Sequence, residues 1–242
     1  MRLPSLSRLV AAMWSRRGSA AYRRHPRPES TTPVRVAGPH PLRVLVFGTD
    51  AASGWGVLRQ DLALPGHLAR ALRGTTGRGV HVTLVDCGVA RVSDLAAVAS
   101  VLPTAAHDVA VVIGGVSDAV RLGDVRRWRT AMAAVLDAVL TRSGAHVFLV
   151  GIPRPSTLPA FRLPVGGAAD RAAEAFDRAS RELCWSRPRA TFVPAISRAA
   201  PVSRDERLVS ADSYAALASH LAAAVTAHVD RPARRADPGP AE

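Results

Sequence analysis

The sequence predicts a three-layer α/β/α sandwich built on a parallel sheet of about five strands. Short apolar runs rich in β-branched residues alternate along the chain with longer stretches rich in Ala, Leu and Arg. Each apolar run is nearly continuous rather than alternating with polar residues. Such runs are typical of parallel strands that helices cover on both faces.

Five runs are the predicted strands: RVLVFG at 43–48, VHVTLVD at 80–86, DVAVVIGG at 108–115, HVFLVG at 146–151 and, more weakly, TFVPA at 191–195. Helical patterns fall between and after them, near 59–73, 91–102, 124–142, 167–186 and 211–229. The fourth pattern places apolar residues at spacings of three and four, which makes one apolar helix face; they are Ala172, Ala175, Phe176, Ala179 and Leu183. The alternation of strands and helices predicts a parallel sheet covered by helices on both faces.

The flanking segments differ in composition from this domain. Residues 1–41 are predicted to form a basic amphipathic helix followed by a Pro-rich linker, and residues 230–242 a disordered tail. The helix would use Leu6, Leu9, Val10 and Met13, and Arg8 splits its apolar run, so a secretory signal is not expected. No run approaches the ~20 apolar residues of a membrane span. We expect a cytoplasmic protein whose N-terminal helix either packs on the domain or touches an anionic membrane surface.

Composition restricts the function classes. The chain of 242 residues carries a formal charge of +13, all of its basic residues are Arg, and aromatic residues make up only 5%. A specific nucleic-acid face would need arginines interleaved with aromatic residues, so none is expected. Cys87 and Cys184 have no metal-binding spacing. A single disulfide between them is possible, but two free buried thiols are the favoured interpretation.

A parallel sheet binds ligands beyond the carboxyl ends of its strands, which here means the loops at 48–57, 86–91, 114–121, 151–165 and 196–210. In the first of these loops Gly48, Gly54 and Gly56 follow a strand, as in a nucleotide-binding loop. Their spacing matches no phosphate-binding motif, and Asp50 would face the phosphate. No cofactor is therefore expected.

The loops taken together resemble the motif blocks of the SGNH (GDSL) hydrolases, a family of esterases and lipases. Gly48 and Gly54 match the first block, GDSxxxG, and Gly88 matches the glycine of the oxyanion hole. The sequence GVSD at 115–118 matches the block GxND, and Asp205 to Tyr214 matches DxxHPxxxGY. The resemblance covers roughly residues 42–229 and implies one domain with the flavodoxin-like α/β/α fold of that family, and ester hydrolysis.

Departures from these blocks fall on the residues that carry the chemistry. The resemblance puts Thr49 on the aspartate and Asp50 on the nucleophilic serine of the first block, and Leu208 on the catalytic histidine. Asp205 keeps the catalytic aspartate, while Ser117 replaces the asparagine of the oxyanion hole. Acyl transfer needs a nucleophile that a base can activate, and a carboxylate at its position would repel the developing oxyanion. The resemblance therefore implies a broken triad.

Other residues could in principle restore activity. The eight histidines are all predicted in strand starts, helices or the leader, away from the crevice, with His220 the least remote. Ser53 is best explained as the cap of a helix over 55–72. A metal site formed by Asp50, Asp118 and Asp205 is disfavoured because Asp118 more simply caps a helix or pairs with Arg121.

The favoured hypothesis is therefore a catalytically inactive binding or scaffolding protein, with an unknown acyl- or ester-like ligand or a protein as partner. The alternative is a working ester hydrolase or acyltransferase with a non-standard site. Two further features are secondary: Trp128 is expected to face the core, and the loop 151–161 either shapes a pocket or seals the edge of the sheet.

Overall fold

The computed structural model describes residues 26–29, 33–158, 166–196 and 211–230. Six strands form one sheet in the order β1-β3-β2-β4-β5-β6. Their bounds are Val34–Val36, Leu42–Gly48, Val80–Asp86, Val109–Ile113, His146–Val150 and Ala190–Val193 for β1 to β6. Strands β2 to β6 are parallel, and β1 lies antiparallel to β3. The α/β/α fold class is confirmed, with one strand more than the sequence predicts.

Helices cover both faces of the sheet. They are Leu64–Thr76, Val92–Ser100, Val116–Val120, Val125–Ser143, Gly166–Trp185 and Ala211–Val229, numbered α1 to α6. One apolar core lies between the sheet and α1 and α6, and the other between the sheet and α2 to α5. Alternate residues of β2 supply the two cores, with Val44 and Val46 on the first side and Leu45 and Phe47 on the second.

The segment predicted as a linker contributes to the fold. Strand β1 lies within it, with Val34 opposite Val82 and Val36 opposite Val80. Three residues between Pro33 and Ala37 are too few to give a periodic signal, so their pairing with β3 decides their conformation. The segment predicted to form an N-terminal amphipathic helix and the residues after 230 lie outside the described residues.

Helix α1 begins later than predicted. The pattern suggested a start near residue 59, but single turns of 3-10 helix at Asp50–Ser53 and Gln60–Leu62 precede a helix that starts at Leu64. Pro65 in its first turn suits that start, because proline lacks the N–H that an early helical position leaves unpaired. Ser53 is therefore not the cap of this helix, and the prediction of that role is wrong.

Two further expectations concern the core and the membrane. Trp128 is buried and stacks on Phe176 with 4.8 Å between the ring centroids, which confirms that it faces the core. Within the described ranges, no helix is both long enough and apolar enough to cross a bilayer.

The order of the parallel strands places the crevice. Strand β2 is central, and the chain passes from it first to β3 on one side and later to β4 on the other, so the loops after β2 and β4 diverge there. Gly48 ends β2 with a φ of 146°, and a Cβ atom on it would lie 1.8 Å from the carbonyl oxygen of Ile113. Only glycine fits this junction.

Replacing Gly48 with Ala is therefore expected to cost more than about 4 kcal/mol of unfolding free energy, since backbone rather than a flexible side chain must move. The matched control is Gly77→Ala at the end of α1. Gly77 also has a positive φ, 69°, but nothing lies within 4 Å of a Cβ there, so about 1 kcal/mol is expected. Urea denaturation of both variants tests this. Similar losses of unfolding free energy in the two variants would contradict the conclusion that only glycine fits at residue 48.

Candidate active-site crevice

The crevice is bounded by the loops that follow β2, β3 and β4, which carry Asp50, Asp86 with Gly88, and Ser117. These loops contact one another directly. The Cys87 N–H donates to the Gly48 carbonyl at 2.8 Å, and the Thr49 N–H donates to the Ile113 carbonyl at 2.9 Å. The three loops that sequence comparison predicted to form one site are therefore brought together.

Asp50 occupies an unusual backbone conformation. Its φ is 58°, in the left-handed region that residues with side chains rarely adopt. Its partly buried carboxylate accepts a hydrogen bond of 2.9 Å from the Thr49 hydroxyl and another from the backbone N–H of Val116. Burial nevertheless raises the pKa of Asp50 from 3.8 to about 6, and the neighbouring carboxylates of Asp118 and Asp86 add to the rise. An acid with such a pKa changes charge close to neutral pH.

Gly88 lies where predicted, but its amide is already bound. The Gly88 N–H donates to a carboxylate oxygen of Asp86 at 2.8 Å, and Gly88 has a φ of 63°. The Ser53 hydroxyl donates to the same oxygen at 2.5 Å and lies 3.4 Å from the Gly88 carbonyl. Asp86 thus ties the loop after β2 to the loop after β3. It also takes the hydrogen bond that Gly88 would offer to an oxyanion.

The loop after β4 is held by glycine and by helix capping. A Cβ on Gly115, whose φ is 114°, would lie 2.5 Å from the side chain of Ile152. Ser117 follows in the short helix α3 and is buried, with 5% of its surface exposed. The Asp118 carboxylate accepts the Val92 N–H at 3.0 Å, which caps α2, and burial raises the pKa of Asp118. Asp118 thus binds the start of α2 and does not cap α3, the short helix in which it lies.

The last motif block is described only in part. Tyr214, in the first turn of α6, is buried, and its hydroxyl donates to the Trp55 carbonyl at 2.9 Å. This bond fixes the start of α6 against the loop that carries Asp50. Asp205 and Leu208, the counterparts of the catalytic aspartate and histidine, lie outside the described residues.

Six imidazoles of the described residues lie outside the loops that carry Asp50, Asp86 and Ser117. His81, His107 and His146 lie at the amino ends of their strands, and the His228 ring stacks on His146 with 3.7 Å between centroids. The ring of His220 pairs with the Pro194 carbonyl at 3.0 Å. His67 lies in α1, where Arg70, Asp212 and Asp61 are its charged neighbours, and burial lowers its pKa. Asp50 and Ser53 take their hydrogen bonds from other groups.

The loop after β5 is bound to helix α5 as far as it is described. The Ser156 N–H and hydroxyl donate to the two oxygens of Asp170 at 3.0 Å and 2.6 Å. The Ile152 N–H donates to Asp177 at 2.9 Å. These contacts hold the described part of the loop against α5.

The two cysteines and the acidic residues were also candidates. Cys87 and Cys184 are both free thiols, as expected, but only Cys184 is fully buried and Cys87 is half-buried. Burial raises the pKa of each thiol to about 11. Over the described ranges, no three Asp, Glu, His or Cys side chains are grouped so as to hold a metal ion.

The fold and the loop geometry define an SGNH-hydrolase fold, and comparison with solved structures bears this out. Est24, a carbohydrate acetylesterase from Sinorhizobium meliloti, is 16% identical at a TM-score of 0.57, over 77% of this chain and 99% of that chain. AlinE4, an SGNH-hydrolase family esterase, is 19% identical at a TM-score of 0.55, over 81% of this chain and 100% of its own. An aryl esterase of M. smegmatis, in an inhibitor-bound form, is 18% identical at a TM-score of 0.57, over 77% and 99%.

Other comparisons add nothing to this result. No protein-family model and no curated protein sequence matches the chain. At these identities the structural likeness establishes the fold and leaves the activity to be argued from the crevice itself.

Sequence reasoning missed Asp86 as a residue of the crevice. It is the last residue of β3, so its position at the carboxyl edge was a usable signal. What the sequence did not contain was its pairing with Ser53, 33 residues away. Ser53 was assigned a local capping role because only local partners can be inferred from spacing.

The raised pKa of Asp50 predicts a pH-dependent gain in stability for Asp50→Asn. The folded state holds the proton more tightly than the unfolded chain, so Asp50 favours folding most below about pH 4 and this contribution is lost as pH rises through about 6. Asn removes the charge and tolerates the left-handed conformation. The free energy of unfolding of the variant should be about 2 kcal/mol higher near neutral pH. This gain is smaller than the pKa difference alone would give, because the carboxyl is partly exposed and solvent screens its charge.

Urea denaturation of the two proteins at pH 4 and pH 7 measures this difference. The gain should be largely absent at the lower pH, where the native carboxyl is already protonated. An equal gain at both values would mean that ionisation of Asp50 is not its cause.

Proposed function

We propose that this protein uses an SGNH-hydrolase fold for binding or scaffolding and does not hydrolyse esters. The observation that carries the proposal is the carboxylate of Asp50 at the position that motif comparison assigns to the nucleophilic serine. That carboxylate is fixed by the Thr49 hydroxyl and the Val116 N–H. As an anion it repels the negative charge that builds up on the carbonyl oxygen during acyl transfer. In an active enzyme, stabilisation of that charge lowers the barrier by about 3 kcal/mol or more.

The state of the oxyanion hole supports the same proposal. A hole needs donors that are directed at the reacting oxygen before the reaction begins. The Gly88 N–H is bound to Asp86, and the position of the second donor is occupied by Ser117, whose side chain is shorter than the asparagine of the motif. An ester carbonyl would have to compete with a carboxylate for the first donor.

The missing base is the third support. A serine or water nucleophile in this fold is activated by an imidazole. The sequence has Leu208 at the corresponding position, and the six histidines described above lie outside the loops of the crevice. The ligand proposed for the crevice is a small acyl- or ester-like molecule, with a protein partner as the other possibility.

One observation favours the alternative, a working hydrolase or acyltransferase with a non-standard site. Asp50 has a pKa of about 6, which suits a general base at neutral pH, and the similar structures include esterases. Asp50 would then activate a water molecule, and Asp118 and Asp86 would keep its pKa raised. The two hypotheses differ in whether Asp50 supports turnover.

Hydrolysis of p-nitrophenyl acetate separates them. The purified full chain should show no turnover above that of Asp50→Asn, because neither protein has an activated nucleophile. The control keeps the fold and the shape of the side chain while removing the carboxylate. Clear turnover by the unaltered protein that disappears in the variant would overturn the proposal.

Restoring the two motif residues gives a converse test. Asp50→Ser combined with Leu208→His should produce measurable esterase activity, while each single change should not, because hydroxyl and imidazole act only as a pair. Kinetics with the same ester measures the gain. Lack of activity in a folded double variant would contradict the view that these two residues alone removed the chemistry, and would direct attention to the Gly88–Asp86 bond.

A further inference from the structure

The edge of the sheet opposite the crevice carries the most exposed large apolar side chain among the described residues. Trp185, the last residue of α5, is 92% exposed, and Val101, just after α2, is 73% exposed. Helices α2, α4 and α5 each run back toward the amino ends of the strands, so their last residues lie at this same edge. We call this surface the amino edge.

Arginines connect and surround the helix ends at the amino edge. The Arg142 side chain donates to the Leu102 carbonyl, which links the ends of α2 and α4. Arg189 donates to the Gly144 carbonyl at 2.7 Å and so links α4 to the residues before β6. In these contacts both guanidinium groups bind neutral carbonyl groups.

Acidic residues close to Trp185 are already neutralised. The Arg187 guanidinium donates to both carboxylate oxygens of Asp137, from Nε at 2.7 Å and from one terminal nitrogen at 3.0 Å. Glu182 is bound by Arg129 at 2.5 Å. Arg178 and Arg181, seven and four residues before Trp185, are exposed on the same face of α5. The surface around the tryptophan is therefore positively charged.

We propose that the amino edge docks on an anionic lipid surface, with Trp185 entering the interfacial region and the arginines contacting the headgroups. A tryptophan has an apolar ring with one polar N–H, which suits the boundary between headgroups and acyl chains. Arginines near an anionic membrane each contribute attraction that salt weakens. Phe192 lies beneath Arg181 at 4.9 Å and is covered by it, so among the exposed aromatic side chains at this edge Trp185 is the one that could stack on a nucleic-acid base.

Docking in this orientation leaves the crevice facing away from the membrane. The crevice lies at the carboxyl ends of the strands and Trp185 beyond the amino ends, so the two surfaces are on opposite edges of one sheet. The inference does not depend on whether the crevice is catalytic, and its failure would leave the proposed function unaffected.

Tryptophan fluorescence of the full chain tests the proposal. Trp55 and Trp128 are buried, and Trp14→Phe removes the remaining tryptophan, so the exposed signal comes from Trp185. Vesicles of phosphatidylcholine with phosphatidylglycerol should shift its emission to the blue and protect it from acrylamide, while phosphatidylcholine alone should do neither. In co-sedimentation with the anionic vesicles, Trp185→Ala should bind at least fivefold more weakly than the unaltered protein. Arg178→Ala and Arg181→Ala should each weaken binding about fivefold.

Two matched variants serve as controls. Leu58→Ala removes another exposed apolar side chain, and Arg127→Ala removes an exposed arginine at the other end of α4; both should bind vesicles like the unaltered protein. Binding that survives Trp185→Ala, or that is lost only on substitution of Leu9 and Leu6 in the N-terminal segment, would overturn the proposal. Tighter binding to a duplex or single-stranded oligonucleotide than to the anionic vesicles would also overturn it.

Discussion

The close approach of Gly48 to the Ile113 carbonyl is the constraint on which the crevice depends. A side chain at this junction would collide with the backbone of the neighbouring central strand, since even a Cβ would lie 1.8 Å from that oxygen. Because the two strands meet so closely, the Thr49 N–H reaches the same carbonyl at 2.9 Å, and the chain then turns into the left-handed conformation of Asp50. The position of the Asp50 carboxylate therefore follows from the packing of β2 against β4.

Around that junction the polar groups of the crevice satisfy one another. Asp86 accepts both the Ser53 hydroxyl and the Gly88 N–H, Asp118 accepts the Val92 N–H, and Asp50 accepts the Thr49 hydroxyl. Buried polar groups that are paired in this way stabilise a single loop arrangement, because breaking any one pair leaves its partner without a hydrogen bond. An enzyme with preorganised donors would instead keep some of these groups directed at its substrate. In this protein the described loops of the crevice are bound mainly to each other.

Much of this organisation could be predicted from residue patterns, and the exceptions share a cause. The five parallel strands were found because continuous apolar runs report burial on both faces, and α6 was placed at its observed bounds. Strand β1 was missed because Val34–Val36 is too short to show a period and forms only against β3. The start of α1 was placed too early because the single turns at Asp50–Ser53 and Gln60–Leu62 resemble helix in composition. Asp86 and Ser53 were missed as a pair because hydrogen bonds between loops leave no local pattern.

By itself, the sequence determined the layered architecture, the edge of the sheet at which the crevice lies, and the presence of an acid at Asp50 and an aliphatic residue at Leu208. These follow from chain order and residue type, which spacing reveals directly. Only the tertiary structure decided that Asp50 is left-handed with a pKa of about 6, that Gly88 gives its N–H to Asp86, and that Trp185 is exposed among arginines. Solvation, hydrogen-bond partners and exposure depend on residues that are distant in the chain, and only folding brings those residues together.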